Sequence, residues 1–136
     1  MLSPTIDSVR IFLHVLAASV WVGGQIALAG VVPSLRRSHP TATKVVANAF
    51  ARVAWPAFVV AVLTGIWSLM AVDITASSSA YQATVLMKLA LAAASGVFAA
   101  VHANGRTKAA LAIGGALGAL TGIAAMFLGV LLHAGR

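Results

Sequence analysis

Four long apolar segments divide the sequence, and only short polar stretches separate them. We place these segments at about residues 11–32, 53–72, 82–103 and 109–132. At a rise of about 1.5 Å per residue, each segment can cross a hydrocarbon core of about 30 Å as a helix. Lipid offers no partners to backbone N–H and C=O groups, so such segments must form helices. The sequence therefore predicts an all-α integral membrane four-helix bundle, with residues 1–136 forming a single domain.

The composition supports a membrane protein and argues against a nucleic-acid-binding domain. Hydrophobic residues make up 61% of the chain and charged residues only 8%, whereas soluble domains carry roughly 25% charged residues. The net charge of +7 comes from basic residues in the connections between apolar segments rather than along one exposed helix. We therefore expect no nucleic acid as a partner. The chain has no cysteine, which excludes disulfides and thiolate metal ligands.

Basic residues are distributed unevenly between the two sides of a four-span topology. The first and third connections hold Arg36, Arg37, Lys44, Arg52, Arg106 and Lys108. The opposite side has only Arg10 and Arg136. The positive-inside tendency predicts that the basic connections are cytoplasmic and that both termini are outside. Anionic lipid headgroups are the expected partners of the basic connections.

Local signals predict where the first two helices begin and end. Asp7 or Ser8 is expected to cap the first helix, because a short side-chain oxygen can accept from first-turn amides. We expect this helix to end before Pro33. The polar stretch at 34–52 is predicted to form an interfacial turn or an amphipathic helix that leads into the second span. Pro56 would then lie in the first turn of that span, where its missing N–H costs little.

Polar residues of the first helix recur at helical spacing. His14, Trp21 and Gln25 share one face of this helix. The adjacent pair Gly23 and Gly24 is expected to let a neighbouring backbone approach closely. A histidine one turn inside a membrane helix is costly unless it has a partner, so His14 is a functional candidate.

The third helix carries a stripe of polar residues, and the fourth helix carries a repeat of small residues. Lys88, Ser95 and His102 lie seven residues apart and form one stripe on the third helix. The turn at 104–108 is short and predicts that the third and fourth helices are antiparallel neighbours. Glycine recurs at every fourth position of the fourth helix, which is typical of close helix packing: Gly114, Gly118 and Gly122.

The predicted orientation places several chemically interesting residues in the outer leaflet. These residues are His14, Lys88, His133, Met70 and Met87. Neutral imidazoles with thioethers suit Cu(I), and imidazoles from two helices suit the axial positions of haem b. The candidate metal ligands are therefore His14, His133, Met87 and Met70. The candidate cofactor-binding residues are His14, Lys88, His133 and Trp21, which shares the face of His14.

Each candidate also has a structural alternative. His14 could be a packing histidine that is hydrogen-bonded to a neighbouring helix, and His133 could be an interfacial residue near lipid headgroups. Lys88 could extend its stem toward the membrane surface instead of pairing with a carboxylate in the bundle. Met70 and Met87 could face lipid or fill packing gaps. We assign no catalytic residue and expect a binding or transport protein rather than an enzyme.

Three fragments of the chain resemble the membrane domain of the copper resistance D family: HVLAASVWVGG, FARVAWPAFVVAVLTGIWSL and SSAYQATVLMKLALAAASGVFAAVHANGR. The matching positions are His14, Trp21, Gly23, Gly24, Thr64, Gly65, Tyr81, Lys88 and 104–106. The resemblance covers nearly the whole chain in matching order. It implies a multi-pass protein of a bacterial-type plasma membrane that takes part in copper uptake or homeostasis.

A second resemblance and a third function remain open. The His, Trp-x-Gly and buried Lys pattern is also similar to the four-helix HemJ-type protoporphyrinogen oxidases, and this similarity implies haem b between His14 and a partner, with Lys88 near a propionate. The alternative without a cofactor is an accessory subunit of a larger membrane complex, or a homo-oligomer. The glycine-rich fourth helix would suit such a subunit.

Overall fold

A computed structural model describes residues 3–135, which form four helices. They are α1 (Ile6–Ser38), α2 (Pro40–Met70), α3 (Ser79–Asn104) and α4 (Lys108–Ala134). No strand occurs in the part of the chain that the structure describes. Every helix is long and apolar enough to cross a membrane. The predicted all-α class is confirmed, and the four helices are consistent with the predicted membrane bundle.

The helices form two compact units, each of which is a helical hairpin. The first hairpin, residues 3–72, contains α1 and α2, and the second hairpin, residues 73–135, contains α3 and α4. In the first hairpin His14 contacts Thr64 whereas Trp21 contacts Trp55, so its helices are antiparallel. The helices of the second hairpin are antiparallel as well, which confirms the prediction from their short turn. That residues 1–136 form one domain stays a prediction.

The N-terminal cap of α1 differs from the predicted one. Thr5 is the capping residue, and its hydroxyl accepts from the N–H of Ser8 at 3.1 Å. The Ser8 hydroxyl in turn accepts from the N–H of Thr5 at 2.9 Å. This capping box satisfies two amides at once, so α1 begins before Asp7. The prediction that Asp7 or Ser8 caps the helix is therefore wrong.

Both predictions that relied on proline are also wrong. Pro33 lies inside α1, which continues to Ser38, and Pro56 lies well inside α2 rather than in its first turn. A proline removes a single N–H, and in a membrane-length helix the neighbouring backbone hydrogen bonds keep the helix continuous. Only His39 separates α1 from α2. The polar stretch at 34–52 is helical except at His39, because 34–38 end α1 and 40–52 begin α2. Its location at the membrane interface stays a prediction.

Aromatic packing holds the first hairpin together. The Trp21 ring lies 5.3 Å from that of Trp55 and 4.5 Å from that of Phe58, measured between ring centroids. At Gly24 the Phe50 ring occupies the space that a Cβ would need, whereas Gly23 has nothing near its missing Cβ. A side chain, not a neighbouring backbone, therefore approaches this glycine pair, which corrects the prediction.

The second hairpin packs through its glycine stripe, as predicted, and also through the polar stripe of α3. A Cβ at Gly114 would lie 2.8 Å from the backbone N of His102, so the two backbones are in direct contact. The Ser95 side chain is 1% exposed and donates to the carbonyl of Gly118 at 2.7 Å. His102 donates from Nδ1 to the carbonyl of Leu111 at 2.6 Å. The polar stripe of α3 thus faces α4 along the whole hairpin.

Candidate functional site

His14 is half-buried in the first hairpin, and two α2 acceptors fix its ring. Its Nδ1 lies 2.9 Å from the carbonyl oxygen of Ala61 and 3.0 Å from the Thr64 hydroxyl. A carbonyl oxygen only accepts, so Nδ1 carries a proton. The Thr64 hydroxyl donates its own proton to the carbonyl of Val60 at 2.6 Å and therefore also accepts from Nδ1. In the neutral ring the lone pair then lies on Nε2.

This tautomer is the one that a metal-binding histidine commonly adopts. An imidazole that coordinates a metal usually donates its second ring N–H to a carbonyl or carboxylate, which fixes the ring and raises its basicity. The backbone of α2 has this role for His14. A packing histidine would be satisfied by the same hydrogen bond. The two predicted alternatives, a packing residue and a metal ligand, therefore differ in whether Nε2 coordinates a metal.

Two residues of α2 lie directly against His14. Thr64 is buried and contacts Nδ1, and a Cβ at Gly65 would lie 3.4 Å from Cε1 of the ring. Gly65 therefore leaves room for the imidazole on the surface of α2. Trp21 lies two helical turns further along the same face of α1 and is also buried. The predicted stripe on α1 faces α2.

Arg10, which the sequence marks only as a topological charge, also lies in this region. It lies one turn before His14 and is 6% exposed. Its Nη2 pairs with the Asp7 carboxylate at 3.0 Å. The buried Nε and Nη1 have no hydrogen-bond acceptor among residues 3–135. Buried donors without an acceptor are costly, so this guanidinium favours a nearby anion. The spacing of Arg10 from Asp7 and His14 was the available sequence signal.

The remaining candidates lie elsewhere in their hairpins. Met70, the last residue of α2, is 82% exposed and lies about 9 Å along the helix from Thr64. In the second hairpin Met87 is 57% exposed, and His133 is exposed in the last turn of α4. Lys88 is half-buried on the face of α3 that contacts α4. The structure thus brings Trp21 to the interface that contains His14 and does not bring Met70 there.

The chemistry of the described residues restricts what could bind. Within residues 3–135, no three His, Asp or Glu side chains are grouped so that they could hold a metal ion. The chain has two acids in all, Asp7 and Asp73, so hard cations that require carboxylates are disfavoured. A soft metal, or a cofactor that brings its own ligands, is better suited to His14. No family model, curated protein or solved structure matches the chain.

Proposed function

We propose that this chain is a copper-handling protein of a bacterial-type plasma membrane that binds copper through Nε2 of His14. The observation that carries the proposal is the fixed imidazole, whose Nδ1 donates to Ala61 and Thr64. The contact of His14 with Thr64 and Gly65 adds support, because these three residues also carry the resemblance to the copper resistance D family. In this proposal the basic connections face the cytoplasm and anionic lipid, and both termini are outside.

Thioethers are the natural additional ligands for Cu(I). Imidazole and thioether donors both suit this ion, and His133, Met70 and Met87 remain the sequence-based candidates for further ligands. The activity that we propose is copper uptake or homeostasis without covalent catalysis.

Haem b is the second candidate, and two specific observations favour it. A porphyrin requires an axial imidazole, apolar walls and cations for its propionates. The buried guanidinium of Arg10, with its unsatisfied Nε and Nη1, lies one turn from His14. Phe58, which is half-buried and lies one turn from Ala61 on α2, supplies an aromatic surface in the same hairpin. In this case the chain would be a haem-binding redox protein or a protoporphyrinogen oxidase-like enzyme.

The observation that suggested an accessory subunit now favours it less. Gly114 and Gly118 contact α3, and Gly122 is buried, so the glycine stripe is used within the second hairpin. It therefore does not supply a docking face for a larger partner. A partner subunit or a homo-oligomer would have to use another surface.

The experiment compares wild-type protein with His14→Ala and with His39→Ala, which removes an exposed histidine from the α1–α2 turn. Copper is measured per chain by elemental analysis after loading with Cu(I), and an absorbance spectrum is recorded on protein as purified. We expect wild type and His39→Ala to bind copper and His14→Ala to lose it, with unchanged helicity by circular dichroism. A Soret band that His14→Ala abolishes would favour haem. Equal copper in all three proteins, with no Soret band, would show that His14 is a packing residue.

A further inference from the structure

Lys88 carries a charge into the apolar part of the second hairpin. Its side chain crosses the α4 surface at Gly129, where an added Cβ would lie 3.2 Å from Nζ and 3.4 Å from Cε. The absence of a side chain at Gly129 thus makes room for the end of the lysine. Within residues 3–135 the Lys88 ammonium forms no ion pair and no hydrogen bond. A half-buried ammonium in an apolar span is costly without an anion.

The second hairpin contains no carboxylate that could serve Lys88. Asp73 is the only acid in residues 73–135. Its Oδ1 accepts from the Thr75 hydroxyl at 2.6 Å and from the N–H groups of Thr75 and Ala76 at 3.0 Å and 3.2 Å. This carboxylate therefore already accepts hydrogen bonds within its own turn. The anion that balances Lys88 must come from outside the hairpin.

A cavity of about 200 Å³ lies between α3 and α4, one helical turn from Lys88 toward the open end of the hairpin. Ser78, Tyr81 and Thr84 form its polar wall, and Leu131 and Leu132 form its apolar wall. The Ser78 oxygen accepts from the N–H of Tyr81 at 3.3 Å, so the Ser78 proton remains available for an acceptor. Thr84 is four residues from Lys88 and connects the cavity with the lysine stem.

We propose that this cavity binds the oxyanion head of a membrane amphiphile, a phosphate or carboxylate on an acyl chain, whose charge pairs with Lys88. The Ser78 hydroxyl on one wall and the leucines on the other match a ligand with a charged head and an apolar tail, while the Thr84 hydroxyl donates to the Ala80 carbonyl at 2.8 Å. The volume suits a head group rather than a whole cofactor, because sites for drug-sized ligands occupy about 300–1,000 Å³. This inference is independent of copper or haem at His14.

The test is native mass spectrometry of the full-length, delipidated protein in detergent. Four probes are titrated separately: dioleoyl phosphatidylglycerol, dioleoyl phosphatidylcholine, oleate and inorganic phosphate. Lys88→Met removes the charge, Lys88→Arg keeps it, and Lys108→Met removes an exposed lysine at the other end of the hairpin. Leu132→Trp fills the cavity while Lys88 is retained. His14→Ala reports whether the site depends on the proposed function.

We expect one anionic amphiphile per chain, with phosphatidylglycerol or oleate bound at least tenfold more tightly than phosphatidylcholine. Lys88→Arg, Lys108→Met and His14→Ala should retain this binding, whereas Lys88→Met and Leu132→Trp should each weaken it at least tenfold. Unchanged binding in Lys88→Met would overturn the role of the lysine. If Lys88→Met does not fold, unchanged binding in Leu132→Trp would overturn the cavity. Binding of inorganic phosphate alone would exclude an amphiphile, and equal binding of the two phospholipids would exclude pairing with a net charge.

Discussion

Replacing Gly114 by alanine should separate α3 from α4, whereas the same replacement at Gly30 should be tolerated. A Cβ at Gly114 would lie 2.8 Å from the backbone N of His102, 3.0 Å from the carbonyl oxygen of Phe98 and 3.1 Å from the Cα of His102. These atoms belong to the helix backbone and cannot rotate away. To reach ordinary contact at 3.4 Å, the two helices must move apart by about 0.6 Å. Gly30 has nothing within 4 Å of its missing Cβ.

The expected change in the free energy of unfolding combines two destabilising contributions and one stabilising contribution. Forcing an extra methyl group into a packed interface costs about 1–3 kcal/mol. Separation also lengthens the hydrogen bond from Ser95 to the Gly118 carbonyl, and such interhelical bonds in membranes contribute on average about 0.6 kcal/mol. The higher helix propensity of alanine offsets about 1 kcal/mol of this. Gly114→Ala should therefore destabilise the protein by about 1–2 kcal/mol, and Gly30→Ala should stabilise it by up to about 1 kcal/mol.

The measurement is the free energy of unfolding in mixed micelles, obtained by titration with SDS and followed by circular dichroism. Wild type and the two alanine variants are compared at the same protein concentration, so that any association affects them equally. If both variants show the same change in stability, or if Gly114→Ala is the more stable one, the close backbone contact between α3 and α4 is wrong.

Two further substitutions test the surroundings of the proposed site, and a pH titration tests the loop before α3. Thr64→Val removes one of the two acceptors of the His14 ring and should weaken metal or haem binding about tenfold in a ligand titration, since losing such outer partners typically costs 10–100-fold. Arg10→Gln should strengthen copper binding if the cofactor is copper, and it should weaken haem binding if the cofactor is haem. The direction of the change in affinity therefore identifies the cofactor. The Asp73 pKa is lowered, chiefly by the hydrogen bond from the Thr75 hydroxyl. The turn formed by Asp73 with Thr75 and Ala76 should therefore be intact above the ordinary aspartate pKa and should open only as the pH falls through the lowered pKa. NMR chemical shifts of the turn amides, followed against pH, would show this.

Features that depend on hydrophobicity and helical period could be predicted from the sequence. The helical spacing placed Lys88, Ser95 and His102 on one face of the third helix, and the short turn made the third and fourth helices neighbours. The structure places all three residues toward α4. The placement of Thr64 and Gly65 against His14 could not be predicted, since no local pattern relates residues about fifty positions apart.

Features that depend on packing against distant residues could not be predicted. Local rules end a helix near proline, yet α1 continues beyond Pro33 because the surrounding amides keep their hydrogen bonds. The burial of Arg10 could not be predicted either, because an arginine near the end of a membrane helix ordinarily reaches water or headgroups. The long arginine stem allows both outcomes, and only tertiary structure decides between them.

The position of Arg10 gives the choice between copper and haem an electrostatic basis. Side chains one helical turn apart are separated by about 5–6 Å, and at an effective dielectric constant of 20 two unit charges at 6 Å interact by about 3 kcal/mol. A bare Cu(I) ion on His14 would be repelled by this guanidinium, although Asp7 neutralises part of its charge. A porphyrin propionate would be attracted and would supply acceptors for Nε and Nη1. The interaction with Arg10 is repulsive for Cu(I) and attractive for a propionate, so removing the Arg10 charge must shift the two affinities in opposite directions. If even half of this interaction energy acts, about 1.4 kcal/mol, the two affinity changes should differ by more than tenfold.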